Sequence, residues 1–154
     1  MVREPAADIG RYCGDRDNAL MTGSIRYPFV PRSNRHLRAG QYWTLPLRNG
    51  RFACGRVMAV PAFGPSDRVG VVVGLMDWLG QEPPTSEQIA GRPVLEQAQS
   101  RFEAITNTGG EVLGLRPLDL DGLAADDPEA SHIGAVHRVW GWRTIINRAE
   151  EHFA

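Results

Sequence analysis

The sequence predicts an α+β fold: a strongly bent antiparallel sheet of five to six strands, an SH3-like partial barrel, with two short helices. Two apolar runs flank Asn49-Gly50, and this dipeptide is a strong hairpin signal because both residues tolerate positive φ. A valine-rich run over 68–78 is apolar on both faces, as in a central strand covered on both sides. We expect a single domain over 39–154, preceded by a partly irregular arm over 1–38.

The hairpin is predicted to consist of a strand over 41–47, a two-residue Asn-Gly loop and a strand over 51–60. Pro46 lies inside the first strand, where it has no N–H to donate, and it therefore indicates an edge position or a bulge. Gly55 is a second candidate bulge, at which the hairpin would bend.

Further elements follow the central strand. Thr85 to Gln88 fits a capping box that opens a short helix through Ile89. The stretch over 94–105 fits either a helical stripe or a strand. Because residues 107–110 resemble a hairpin loop, we expect a strand over 100–106 paired with one over 111–115. A last strand over 135–140 and an amphipathic helix over 143–153 complete the chain.

The sequence contains no motif that commits it to a reaction, and we expect no metal and no cofactor. The four histidines, His36, His132, His137 and His152, are scattered without ligand spacing. Asp119-x-Asp121-Gly122 fails as a calcium loop, because alanine occupies positions six and twelve. A G-x-S-x-G nucleophile elbow is absent. Only a polar cleft containing His132 or His137 would favour a hydrolase.

The two halves of the chain carry opposite charge. Residues 1–60 hold ten arginines and four acidic residues, whereas residues 61–154 hold seven arginines and fourteen acidic residues. The whole chain has a net charge of −1, which does not indicate a general nucleic-acid binder. The acidic half favours a surface that meets a basic partner, although the two halves also have the charges to pair with each other.

Several features point to the cytoplasm. Of two cysteines, Cys54 lies in the apolar second strand, where we expect a buried, reduced thiol. The N-terminus carries Arg3 and Glu4 and no apolar segment of the kind found in secretory signals. The longest apolar run, over 69–76, is too short to cross a bilayer, so no membrane partner is expected.

Residues 40–57 have the pattern G-x-x-W-x-x-P-L-x-N-G-R-x-x-x-G-R-V, which is more specific than a generic hairpin. Further matching motifs end the valine-rich strand at Leu75-Met76-Asp77-Trp78, continue at Glu82-Pro83-Pro84, and close with Ala104-Ile105 and the run over 109–118. In this order, residues 38–118 resemble the immunity protein 26 family of bacterial polymorphic-toxin systems. The resemblance implies an α+β antidote without enzymatic activity, which binds and neutralises a cognate toxin domain.

Such an antidote blocks a toxin through a rigid surface or loop, and an acidic loop suits a toxin with a positively charged cleft. Aromatic anchors supply much of the affinity at protein interfaces, and opposite charges speed the encounter. From the acidic C-terminal half we predict a partner-binding face. Its residues are Asp119, Asp121, Asp126, Asp127, Glu129, Trp140 and Trp142.

A small-barrel module that contacts nucleic acid in transcription or translation is the alternative function. It would use phosphate contacts from arginines of the basic half. These are Arg32, Arg35, Arg38, Arg48, Arg51 and Arg56.

Overall fold

The computed structural model describes residues 25–60, 70–123 and 139–153. Within these ranges the chain forms an open five-stranded antiparallel sheet of order β4-β3-β2-β1-β5, so the α+β prediction is confirmed. The strands are β1 (Gln41–Pro46), β2 (Phe52–Ala59), β3 (Val71–Gly80), β4 (Val94–Ser100) and β5 (Val112–Leu115). The helices are α1 (Glu103–Thr106) and α2 (Thr144–Phe153), with 3₁₀ helices at Asn34–His36 and Leu118–Asp121.

The β1–β2 hairpin is confirmed, but its loop has three residues rather than two. The Gly50 N–H donates to the Leu47 carbonyl at 3.1 Å, and the Leu47 N–H donates to the Arg51 carbonyl at 2.8 Å. Gly50 has a φ of 85°. This is a turn closed by a glycine in the left-handed region, the usual form of a three-residue hairpin loop, and the Asn-Gly pair fits it as well as a type I′ turn.

A bulge occurs at Gly55, as predicted, and a further irregularity that the sequence did not predict occurs in β1. The register of β2 against β3 shifts between Ala53 and Gly55, and an irregularity in β1 lies between Tyr42 and Trp43. β5 pairs with β1 only from Gln41 to Trp43, so Pro46 lies on a part of β1 that has no β5 partner. An N–H missing at Pro46 therefore costs the sheet no ladder bond on that side.

The expected strand over 100–106 is wrong. Residues 94–100 form β4, which pairs with β3, and residues 103–106 form the short helix α1. β5 is confirmed as a strand, but it pairs with β1 instead. Residues 107–110 end α1, and the Gly110 N–H donates to the Ile105 carbonyl at 2.8 Å. Gly109 and Gly110 therefore end helix α1. Glycine is common both at helix C-termini and in hairpin loops, so composition alone does not distinguish the two.

The short helix expected over 85–89 is also corrected. The capping box is made, since Gln88 N–H donates to Thr85 Oγ1 at 3.3 Å and Thr85 N–H donates to Gln88 Oε1 at 3.2 Å. Residues 86–91 nevertheless form consecutive turns without a regular helix. Gly91, with a φ of 74°, and Pro93 end the segment before helical bonds can propagate.

The two faces of the sheet bury separate apolar clusters. On one face Trp43, Leu45, Val73 and Leu75 pack with α1 and α2. On the other face Tyr42, Cys54, Met76 and Trp78 pack with Ile89 of the turn segment. Apolar side chains on both sides of β3 thus have a covering layer, as the continuous apolar run predicted.

Helix α2 is confirmed, and it is held by apolar and ionic contacts. Ile145 and Ala149 are fully buried. The Arg148 guanidinium donates through Nε to both Glu96 carboxylate oxygens of β4, at 3.0 and 3.1 Å. His152 Nε2 lies 2.9 Å from Glu96 Oε2. Of the strand expected over 135–140, residues 135–138 lie outside the described residues, and Val139 forms an isolated parallel bridge with Gln99.

Residues 25–38 of the predicted arm pack against the domain. Leu37 is fully buried, and the Phe102 N–H donates to Asn34 Oδ1 at 2.9 Å. Phe29 forms an antiparallel bridge with Val112, which covers the outer edge of β5. Residues 1–24 lie outside the described residues.

Cys54 is a buried free thiol, as expected. Burial raises its pKa to about 12, which keeps it protonated at neutral pH, although the nearby Arg56 charge acts in the opposite direction. No helix in the described ranges is long and apolar enough to cross a membrane.

Gly55 provides a test of the packing between β1 and β2. A Cβ at this position would lie 2.5–2.7 Å from the Trp43 indole. We expect Gly55→Ala to lower the free energy of unfolding by about 1–3 kcal/mol, because overpacking a rigid core forces side chains off their rotamers. Urea denaturation measures this free energy of unfolding. In the control Gly141→Ala the new Cβ has its nearest neighbour, Thr144 Oγ1, at 3.9 Å. Equal stability of the two variants would contradict the packing described.

Candidate functional site

Of the predicted partner-binding residues, the four that the structure describes, Asp119, Asp121, Trp140 and Trp142, do not come together as one face. Asp126, Asp127 and Glu129 lie outside the described residues, as do His132 and His137. Asp119 is exposed on the 3₁₀ helix Leu118–Asp121.

Asp121 is buried in an ion pair, with its side chain only 1% exposed. Arg56 Nη1 donates to its Oδ2 at 2.9 Å, and Arg116 donates to both carboxylate oxygens at 2.9–3.1 Å. The Gly91 N–H donates to Oδ1 at 2.8 Å. Both oxygens of Asp121 are therefore occupied from inside the protein, and its role is to hold three segments together.

The Arg56 side chain is fully buried on the same face of the sheet as Cys54. Its Nη2 donates to the carbonyl of Arg116, and its Nε has no hydrogen-bond partner within the described ranges. A guanidinium in this position cannot reach a phosphate, so Arg56 is removed from the predicted nucleic-acid set. The apolar pattern of β2 gave no signal that a charged residue would be inside.

The Asp121 pKa is well below the usual aspartate range. Hydrogen bonds from Arg116 lower it most; burial opposes the shift, and the Gly91 N–H and Arg56 lower it further. The carboxylate therefore stays ionised at neutral and mildly acidic pH.

Trp140 and Trp142 lie at the edge of β4. The Trp140 N–H donates to the Gln99 carbonyl at 2.8 Å, and Ser100 Oγ donates to the Trp140 carbonyl at 3.1 Å. Trp140 is half-buried against the core, whereas Trp142 is 41% exposed and has the Arg143 guanidinium 5.2 Å from its ring. These two hydrogen bonds to β4 fix the backbone position from which the Trp142 indole projects.

A pocket of about 240 Å³ opens beside these tryptophans. Its lining also includes Arg101 and Glu103 from the start of α1. Arg101 Nε lies 3.7 Å from Glu103 Oε1, and this oxygen is buried without a hydrogen bond in the described structure. The pocket is smaller than most small-molecule sites, which occupy roughly 300–1,000 Å³, and it suits an inserted side chain better than a cofactor.

Trp140 and Asp121 pack against opposite faces of the sheet. Trp140 belongs to the cluster under α1 and α2, and Asp121 pairs with Arg56 on the other face. The acidic 3₁₀ helix and the tryptophan edge are thus separate surfaces within the described part of the chain.

A second cavity, which we call the basic groove, lies outside β5 and has a volume of about 320 Å³. The sequence drew attention to the cluster of Arg32, Arg35 and Arg38, but not to the contribution of Arg26 or to an apolar floor. The lining is formed by Ile25, Arg26, Phe29, Val30, Arg32, Arg35, His36 and Arg38. Residues 25–30 and 32–38 line the groove together, and the Phe29–Val112 bridge, which sequence patterns do not reveal, joins the first of these segments to β5.

In the described ranges no group of three or more histidine, cysteine, aspartate or glutamate side chains is arranged to hold a metal ion. No protein-family model, curated protein or solved structure matches the chain. The features that bear on function are therefore the surfaces described above and the motifs of residues 38–118.

The ion pair predicts a large effect of neutralising Asp121. We expect Asp121→Asn to lower the free energy of unfolding by about 3–5 kcal/mol, because it leaves the buried Arg56 charge without its partner. Asp119→Asn is the matched control, since it removes an exposed carboxylate from the same 3₁₀ helix. We expect the control to change stability by less than about 0.5 kcal/mol. Equal values for the two variants in urea unfolding would contradict the burial of Asp121.

The same pair adds a pH dependence. Folding lowers the pKa of Asp121, so the ionised carboxylate stabilises the folded protein. This stabilisation is complete at pH values above the pKa of the unfolded state, about 3.9 for aspartate. It is lost as the pH falls from there toward the pKa of the folded state. Acidification below pH ~4 should therefore destabilise the wild-type protein more than Asp121→Asn. Glu96 also has a lowered pKa, because hydrogen bonds from Arg148 and His152 outweigh the effect of its burial, but it contributes equally to both proteins. Parallel pH profiles would contradict the prediction.

Proposed function

We propose that this chain is a cytoplasmic immunity protein, which neutralises a cognate bacterial toxin domain by direct binding and has no enzymatic activity of its own. The resemblance of residues 38–118 supplies the class of partner. The observation in the structure that supports a binding role is the exposed Trp142 indole at the rim of the 240 Å³ pocket. An SH3-like bend of the sheet, introduced by its bulges, is part of the proposal.

The edge of β4 has the features of a protein-docking surface. Trp142 is 41% exposed and Val139 is 73% exposed, on a segment joined to β4 by one backbone hydrogen bond and by one from the Ser100 hydroxyl. Tryptophan is enriched among residues that dominate binding energy, and a rigid backbone reduces the entropy lost on binding. The pocket beside Trp142 gives a partner side chain a place to insert.

Not all of the predicted acidic residues remain in the proposed partner-binding surface. Asp121 stabilises the fold, so the charges available for steering a basic partner are Asp119 and those of Asp126, Asp127 and Glu129, which lie outside the described residues. An exposed charge such as that of Asp119 mainly affects the association rate.

The alternative function loses part of its support. Arg56 is buried, and Arg48 and Arg51 lie at the hairpin tip, the opposite end of β1 from Arg38. A six-residue strand spans about 20 Å, so these arginines do not form one continuous nucleic-acid surface. The remaining cluster belongs to the basic groove.

Growth rescue tests the proposed function. The C-terminal domain encoded by the neighbouring gene is expressed in cells with and without this chain. We expect toxicity that is relieved by co-expression, together with a complex that co-purifies from the rescued cells. A toxic domain that this chain neither binds nor neutralises would contradict the proposal.

Trp142→Ala tests the docking surface. We expect it to weaken the complex by about tenfold or more, as truncation of a central aromatic anchor does. Leu120→Ala is the matched control, because Leu120 is 63% exposed on the acidic 3₁₀ helix, away from β4. Titration calorimetry with the purified toxin domain measures both. A loss confined to Leu120→Ala would place the interface on the acidic 3₁₀ helix instead.

A further inference from the structure

The basic groove combines four cationic side chains with an apolar floor. Phe29 is half-buried, with its ring 5.6 Å from that of Tyr27 and edge-on to His36 at 6.5 Å. Ile25 and Val30 complete the floor, and both are exposed. An exposed apolar surface bordered by arginines favours a ligand that has a flat apolar part and concentrated negative charge.

The positive charge of the groove is not neutralised by the described structure. The whole stretch over 18–66 contains no aspartate or glutamate. Arg26, Arg32 and Arg35 are exposed, and none of them forms an ion pair within the described residues. Like charges held together without counter-charges repel one another, and a bound polyanion relieves that repulsion.

Three hydrogen bonds that involve backbone atoms give the groove a fixed shape. Arg38 Nη1 donates to the carbonyls of Arg35 and Leu37, each at 2.7 Å, so this guanidinium is fixed against the 3₁₀ helix Asn34–His36. The Arg32 N–H donates to His36 Nδ1 at 3.3 Å, which orients the imidazole. The lining is thus partly organised before a ligand arrives, and this lowers the entropic cost of binding.

The shape favours a nucleotide over an acidic protein surface. The cavity is concave, and its volume of about 320 Å³ lies within the range of small-molecule sites, roughly 300–1,000 Å³. Guanidinium groups match phosphate oxygens in a planar, two-pronged geometry. A base provides the flat apolar part that the floor would contact, whereas a carboxylate-rich peptide does not.

We propose that the basic groove binds a nucleotide, with its phosphates on the arginine rim and its base against the Phe29 side of the floor. The nucleotide is either free in solution or part of a single strand, since both present the same phosphate and base. This site is separate from the Trp142 surface, so the proposal does not depend on toxin neutralisation.

Fluorescence anisotropy with the full chain tests the proposal, using a labelled ADP analogue and a labelled oligothymidylate as separate probes. Arg32→Gln/Arg35→Gln removes two exposed charges from the rim. Arg92→Gln/Arg143→Gln is the matched control, because it removes two exposed arginines outside the groove. We expect the rim variant to weaken binding by about tenfold or more and the control by less than about twofold. For the strand, the slope of log K against log salt should fall by about 1.4 in the rim variant.

Unlabelled competitors test whether binding requires both the phosphates and the base of the nucleotide. We expect tripolyphosphate, which lacks a base, and polyglutamate, which lacks phosphate, to compete less well than unlabelled ADP. Binding of the ADP analogue alone identifies a free nucleotide as the ligand, and tighter binding of the oligothymidylate identifies a strand. The proposal is overturned if neither probe binds, if the control loses as much affinity as the rim variant, or if either competitor matches ADP. Circular dichroism melting of both variants checks that they are folded.

Discussion

The structure depends on one buried ion pair, between Arg56 in the second strand and Asp121 at the end of a 3₁₀ helix. A charged guanidinium in the interior is costly unless its charge and its hydrogen bonds are satisfied. Asp121 supplies the charge, and the carbonyl of Arg116 supplies a further acceptor. The same carboxylate accepts bonds from Arg116 and Gly91, so it connects the sheet, the segment after β5 and the turns between β3 and β4. Removing it would disturb the whole layer that covers this face.

This arrangement decides which surfaces remain for function. Helices cover one face of the sheet, and the ion-paired layer covers the other. Each of the two edge strands pairs with a short additional segment. Val139 bridges to Gln99 of β4, and Phe29 bridges to Val112 of β5. Unpaired strand edges promote association with other chains, and such segments protect them. Both candidate sites, the Trp142 pocket and the basic groove, are built on these two segments.

Several structural features that depend on residues close together in the chain were predicted correctly from the sequence. The hairpin around Asn49-Gly50, the two-sided β3, the bulge near Gly55 and helix α2 follow from turn preference and apolar periodicity. The strand expected over 100–106 was wrong because a glycine pair ends helices and hairpins alike, and only the pairing of β4 with β3 decides between them. For the site, Trp142 was predicted from the pair of tryptophans that precedes the last helix, and the structure shows that its side chain is exposed. The burial of Asp121 was missed, because its partner Arg56 is 65 residues away in the chain.

A double-mutant cycle at Arg56 and Asp121 tests the central physical claim most directly. The free energy of unfolding is measured for the wild type, Arg56→Met, Asp121→Leu and the double variant. If the pair is buried as described, Asp121→Leu leaves the Arg56 guanidinium without a carboxylate, whereas in Arg56→Met the Asp121 carboxylate keeps its bonds from Arg116. The double variant should therefore be more stable than Asp121→Leu, with a coupling energy above about 1 kcal/mol. Additive effects of the two substitutions would mean that the side chains do not depend on each other, and would contradict the account.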